Sequence, residues 1–289
     1  MVVKGDGRTE VYDRDGLRDL NKLMAEVMKG PGAGFAGGFG AHGSGVGFVG
    51  SVLSGDAGIK NWSGSSVVDF PEETASPVGS IGLDQFMTKK YNCSNCPLGC
   101  GAFLSLPDER WDLKDTSRPE YETQGAFGSL LLNNDTGALC QCNELCNEYG
   151  LDTISTGSTI AWAMECFNEG GLTKDDLDGI DLIWGNPEGI VALCEKIGKC
   201  EGIGKTLAMG SREARRILGK GEEYLVVASG IEEPQHDSRL AWGLVRTYQY
   251  DPTPGRHVKG GIGMGPCLEG FDELPPHARD YSHELGGSQ

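Results

Sequence analysis

The chain has 289 residues, 38% of them hydrophobic, and a formal charge of −17 at pH 7. That length is enough to bury a core or two, and so acidic a chain, with no basic stripe to offset it, argues against phosphate backbones and so against nucleic acid as a partner. A mean hydropathy of −0.31, without any uninterrupted apolar run of bilayer length, predicts a globular protein with no membrane span.

The opening "MVVKGDGRTE" lacks the apolar segment of a secretion signal. Ten cysteines at irregular spacing in a chain this long read as reduced thiols in a cytoplasm, not as a disulfide scaffold. Leu17, Leu20, Leu23, Met24 and Val27 recur at three- and four-residue steps up to Gly30, which predicts an amphipathic helix. The run "GPGAGFAGGFGAHGSGVGFVG" then holds a formal GxGxxG at Gly32, Gly34 and Gly37. A dinucleotide loop follows a strand and opens a helix, whereas this run follows a helix, so it is read as close backbone packing or loop.

"YNCSNCPLGCG" places Cys93, Cys96 and Cys100 around Pro97, Gly99 and Gly101. Soft thiolates select zinc, copper(I) or iron–sulfur clusters, and gaps of two and three residues let three sulfurs converge on one centre. An iron–sulfur cluster, zinc, or ordinary buried cysteines all remain open on spacing alone. From Cys140 onward the pattern is helical through "ALCQCNELCNEYG", "STIAWAMECFNEGG", "NPEGIVALCEKIGKC" and "GKTLAMGSREARRILG". Ser155 or Thr156 is expected to cap the second segment; Asn186, with Pro187 at the first position, caps the third. Cysteines inside these segments read as small buried hydrophobes. "EYLVVAS" (223–229) is the best strand candidate, and "IEEPQHD" and "YQYDPTPGRHVKGGIGMGP" read as loops. The fold class predicted is mainly α with few short strands, with a boundary near Gly230 and a polar tail at the end.

Taken together, "CSNCPLGCG", "RPEYETQGAFGSLLLNNDTGAL", "NELCNEYGLDTISTGSTIAWAMECF", "GIDLIWGNPEGIVAL" and "DPTPGRHVKGG" resemble the tungsten-containing aldehyde ferredoxin oxidoreductase family, over residues 1–262. The resemblance implies helical domains of that type, a tungsten (or molybdenum) ion held by two pterin dithiolenes, and a 4Fe-4S cluster passing electrons to ferredoxin or another carrier. It implies Cys93, Cys96 and Cys100 as three cluster ligands. The family's fourth cysteine lies in a downstream DxxGLC motif absent from this sequence, and Cys267 in "GMGPCLEG" lacks its context. Residues 1–10 resemble the tail of an N-terminal pterin-cradling domain, 11–229 a cluster-binding helical domain, and 230–289 part of a C-terminal helical domain with an active-site loop. The chain is therefore expected to be the middle of a longer enzyme or one piece of a split one, with a second copy or partner chains supplying the rest.

By the same resemblance Glu122, in "PEYET", faces the metal as a base; burial would raise its pKa toward that task. His257, in "GRHVKGG", would hydrogen-bond the substrate oxygen, and Lys259 would touch the pterin. "NEYGLD" matches the family's first DxxGLD pterin motif, with Asn147 in place of the leading acid and Asp152 retained. An amide oxygen still accepts a hydrogen bond, and Asn147 with Gly150 equally ends a helix. The implied reaction is aldehyde oxidation to an acid. Two alternatives stand beside it: reduction of an aromatic thioester, as in the family's benzoyl-coenzyme A reductase branch, and a non-enzymatic iron–sulfur or zinc module.

Overall fold

The computed structural model describes residues 10–94, 96–240, 244–250 and 255–257, together with Gly5, Gly7 and Thr253. It is mainly helical. Helix α1 (Arg14–Lys29) is followed by α2 (Ala33–His42), α3 (Phe48–Ser54) and the single turns α4 (Glu72–Ala75) and α5 (Ser80–Leu83). Strands β1 (Met87–Tyr91), β2 (Gly101–Leu104) and β3 (Thr116–Ser117) form one antiparallel sheet in that order. The bundle proper then runs through α6 (Tyr121–Phe127), α7 (Thr136–Tyr149), α8 (Thr153–Asn168), α9 (Pro187–Lys199), α10 (Gly204–Leu207) and α11 (Ser211–Leu218). A small hairpin, β4 (Val227–Ala228) and β5 (Ile231–Glu232), precedes α12 (Leu244–Tyr250).

Helix α8 is the axis of the core. Every residue from Thr156 to Met164 is buried, as expected of a helix that is apolar or small on all faces. Trp162 is sunk among its neighbours and donates its indole N–H to the Gly221 carbonyl at 2.7 Å. Phe127 of α6, Leu139 and Cys140 of α7, and Ile190 and Leu193 of α9 join the same cluster. Helix α6 approaches α8 closely because Gly157 has no side chain: a Cβ there would lie 2.6 Å from the Ala126 carbonyl oxygen. That approach sets the first turn of α6 beside that of α8, where Thr123 Oγ1 donates to Thr153 Oγ1 at 3.0 Å.

Three expectations change. The glycine-rich run is α2, a 3₁₀ turn at Ser44–Gly47 and α3, because its glycines let helices pack where side chains would not fit: a Cβ on Gly45 would run into the Gln124 amide. Within "EYLVVAS" only Val227–Ala228 is strand, paired with Ile231–Glu232 around Ser229 and Gly230, both at positive φ (51° and 87°). Glu222–Tyr224 is instead a 3₁₀ turn. The cap of α8 is Asp152, whose carboxylate accepts the Ser155 N–H at 3.0 Å, not Ser155 or Thr156. Helix α1 forms as the periodicity demands and ends at Gly30, yet Leu17, Leu20, Leu23, Met24 and Val27 all remain exposed among the described residues. No helix of the described residues is long and apolar enough to cross a membrane.

Candidate functional site

The three motif cysteines hang on one loop, residues 92–100, closed by antiparallel pairing of Tyr91 with Gly101. Cys93 is exposed, and Cys96 and Cys100 are partly buried. The loop turns through the Cys96 N–H to Cys93 carbonyl bond at 3.1 Å and through Gly99 at φ +63°, where a side chain would be strained. It is pinned from beneath by the buried Arg118, which donates to the Cys100 carbonyl at 2.6 Å and pairs with Asp84 at 2.8 Å. His42 also bonds Asp84, and Lys90 reaches the Gly40 carbonyl. The glycine-rich α2 thus underlies the cysteine loop: a Cβ on Gly40 would come within 3.0 Å of the Leu98 carbonyl oxygen. Burial pushes the Cys100 thiol up, as do the nearby Glu120 carboxylate and the other two cysteines.

Glu120 links this loop to the second part of the site. It is exposed at the start of α6 and accepts the Ser44 hydroxyl, while Ser44 Oγ accepts the Tyr121 N–H at 2.9 Å. Two residues on, Glu122 points the other way, into the protein. Its Oε2 accepts the Gln235 N–H at 2.7 Å. Burial raises its pKa, against the Gln235 hydrogen bond and the nearby His236 and Arg256 that lower it. Glu122 is therefore the inward carboxylate of "PEYET", its pKa raised by burial.

Glu122, His236 and His257 each offer a ligand-capable atom, all within 4.8 Å of one another. Sequence reasoning found the first and third of these and missed His236, which lies in "IEEPQHD". Its ring stacks on Tyr121 with centroids 4.6 Å apart and planes inclined by 12°, and its Nδ1 meets Asp56 Oδ2 at 2.7 Å. Tyr121 Oη donates to the Gln235 carbonyl at 2.7 Å, and Tyr248 Oη to the His236 carbonyl at 3.0 Å. His236 is thus held on both faces of its peptide and on its ring. The only sequence signal was the scarcity of histidine, five in the chain; the Asp56 partner lies 180 residues away.

The α7–α8 corner borders this group. Gly150 caps α7 in the left-handed region at φ 70°, and Asn147, exposed, donates to Ser117 Oγ at 2.9 Å. Asp152 Oδ2 takes both the Ser155 N–H and Arg256 Nη2, the latter at 2.7 Å. Arg256 precedes His257, so this ion pair ties the "GRHVKGG" segment to the start of α8. Asp152 therefore caps α8, while Asn147 ties the last turn of α7 to β3. Lys259 and Cys267 lie outside the described residues. The donor sets suit the implied groups: three thiols on one loop for a cluster, amide and carboxylate oxygens at the corner for pterin N–H groups.

Known proteins resemble the chain over most of its length. The family described as "Aldehyde ferredoxin oxidoreductase, domains 2 & 3" matches residues 20–278. The tungsten-containing aldehyde ferredoxin oxidoreductase of Pyrococcus furiosus is 35% identical over 201 residues, covering 69% of this chain and 32% of the relative. That of Pyrococcus abyssi is 31% identical over 293 aligned positions, 98% of this chain and 45% of the relative. The WOR-like subunit of an aliphatic sulfonate oxidoreductase from P. furiosus is 29% identical over 263 residues, 86% and 40%. Among solved structures, the active-site complex BamBC of benzoyl coenzyme A reductase with 1,5-dienoyl-CoA superposes with a TM-score of 0.51 at 24% identity, over 62% of this chain and 26% of that one; this likeness is one of fold. The chain spans less than half the length of these curated relatives.

Proposed function

The chain belongs to the aldehyde ferredoxin oxidoreductase family, and from that premise we propose that it carries the cluster-binding and proton-handling part of an enzyme oxidising aldehydes to carboxylic acids in a cytoplasm. The observation that carries the reading is the juxtaposition of the part-buried Glu122 with His257, in a chain that also carries a loop bearing three cysteines. In this reading Cys93, Cys96 and Cys100 hold a 4Fe-4S cluster, and Asn147, Asp152 and Lys259 face a pterin. A tungsten or molybdenum ion on two pterin dithiolenes supplies Lewis acidity and two-electron chemistry when bound.

This chain's own residues then manage charge and protons. Glu122, kept protonatable by burial, accepts the proton released as the aldehyde becomes an acid, and the Gln235 N–H holds its oxygen in place. His257 donates a hydrogen bond to the substrate oxygen as negative charge develops. Tyr121 stacks on His236 and Tyr248 stands beside His257, so two aromatic rings line the site. The cysteine loop is partly exposed, as electron delivery to ferredoxin or another small carrier requires. In this reading the chain divides near Gly230.

The test is anaerobic purification of the native complex with elemental analysis, followed by assays with aldehydes and a viologen acceptor. Tungsten or molybdenum with about four or more irons per chain, and acid formation lost in Glu122→Gln, is the expected result. Reduction of an aromatic thioester in place of aldehyde oxidation would move the activity to the other branch. Zinc or iron without tungsten or molybdenum would reduce the chain to a metal or electron-transfer module.

A further inference from the structure

Arg118 opens the "RPEYET" stretch and has no task in the reaction proposed above. Its side chain is only 2% exposed, and a guanidinium is buried so far only where it is paired. Nη1 meets Asp84 Oδ1 at 2.8 Å, and Nη2 donates to the Cys100 carbonyl at 2.6 Å. Gly43, the residue after α2, leaves the room: a Cβ there would lie 2.7 Å from Nη2. The end of that helix, with its partial negative charge, therefore lies beside the cation. The Arg118 N–H bonds the Ala102 carbonyl of β2 at 2.8 Å, so the guanidinium is mounted on the sheet that carries both ends of the cysteine loop.

The order of charges matters. The guanidinium stands between Asp84 and the loop, so the positive charge is the nearer one. Asp84 is 21% exposed and its other oxygen is taken by His42, so water screens the carboxylate more than the buried cation. The other charged side chains placed at the loop, Glu120 and Lys90, are exposed. The field of Arg118 extends to the far end of the loop, where it pulls the Tyr91 hydroxyl down against burial, Glu120, Cys93 and Cys100, which push it up. Pinning a carbonyl needs no more than a neutral donor such as an amide, whereas a guanidinium adds a charge that is never lost in a protein. An iron–sulfur centre gains negative charge on reduction, and a nearby cation stabilises it; net charge, hydrogen bonds and exposure set such potentials.

We propose that Arg118 raises the reduction potential of the cluster held by Cys93, Cys96 and Cys100, with Asp84 orienting the guanidinium and offsetting part of its charge. This rests on the cluster reading above and deepens it, by naming the side chain that makes the loop a better electron acceptor.

The experiment is a redox titration, followed by the electron paramagnetic resonance of the reduced cluster, on the anaerobically purified native complex and on three variants. In Arg118→Gln the oxidised-to-reduced ratio at the original midpoint should rise about tenfold, a shift of about 59 mV to more negative potential for one electron. Arg118→Lys, which keeps the charge, should restore most of that shift. Asp84→Asn keeps an acceptor oxygen for Arg118 and removes the opposing charge, so its midpoint should move the other way, to higher potential. A residue that merely held the loop would shift the arginine and aspartate variants in the same direction. Shifts of one sign, or equal midpoints throughout, overturn the proposal. If Arg118→Gln loses its iron, Asp84→Asn decides: a midpoint unchanged or lowered there overturns it equally. An unsubstituted complex without iron or cluster signal would overturn the cluster reading and this one with it, whereas full iron with equal midpoints overturns this one alone.

Discussion

Glu120 and Glu122 sit two residues apart in the same short motif and have opposite fates. Glu120 is exposed and takes a serine hydroxyl; Glu122 is drawn inward against Gln235. The first turn of α6 separates them, because residues two apart on a helix do not share a face. What allows that turn to sit so deep is glycine. Gly125 faces the Gln235 stem, whose Cγ and Cβ would lie 2.5 and 2.6 Å from an added Cβ, and Gly157 faces the Ala126 backbone. Gly157→Ala is the sharper test, because two effects oppose. Alanine is favoured over glycine inside a helix by about 1 kcal/mol, while overpacking costs about 1–3 kcal/mol. The Ala126 carbonyl cannot swing aside as a side-chain tip would, so sterics win. We expect a net loss of about 2 kcal/mol in urea unfolding; equal or greater stability would show that α6 and α8 separate freely.

Among the elements, α7 and α9 start where they do because their N-termini are tied to one arginine. Asp135 caps α7 through the Ala138 N–H at 2.8 Å, and Glu188 sits in the first turn of α9. Arg110 reaches Asp135 at 2.8 Å, Glu188 at 3.0 Å and Asp108 at 2.8 Å. The Arg110 hydrogen bond holds the Asp108 carboxyl below its usual value of 3.8. A depressed folded pKa gives stability that is complete above the unfolded value and disappears as pH falls through the folded one. Asp108→Asn should thus cost about 1 kcal/mol at pH 7, the scale of a solvent-screened network. The difference from the unsubstituted chain should close below that carboxylate range. Thermal midpoints measured from pH 7 down to pH 2 check this, and a gap that does not narrow as the pH falls would refute the clamp. The helix starts show how local signals work and where they stop. Pro187 and Asn186 mark α9 correctly, because proline acts through its own φ. The start of α8 was misplaced by a few residues, since Asp152 outcompetes the hydroxyl residues after it. The glycine-rich run hides three helical elements, because glycine's weak propensity is overridden by packing against Arg118, Leu98 and Gln124.

Across the whole molecule the charge of −17 repels itself, which favours the unfolded state at low ionic strength. Exposed ion pairs contribute little individually, so screening should relieve more repulsion than attraction. Raising salt from about 0.02 M to 0.5 M, where the Debye length shrinks from roughly 20 Å to below 5 Å, should raise the thermal midpoint. A fall would mean that networks such as that of Arg110 outweigh the net charge. The sequence by itself determined the helical class, the cysteine loop with its glycine turn and the α7–α8 corner at Gly150, whereas the inward turn of Glu122 was implied only by the family resemblance. The class, the loop and the corner are written in neighbouring residues, through period, capping, spacing and φ. Only the tertiary structure decided that His236 joins Glu122 and His257, that Asp56 stands behind it, and that Arg256 ties its segment to Asp152. The Asp56–His236 and Asp152–Arg256 pairs span 180 and 104 residues of chain, and packing around α8, which no local pattern encodes, is what brings them together.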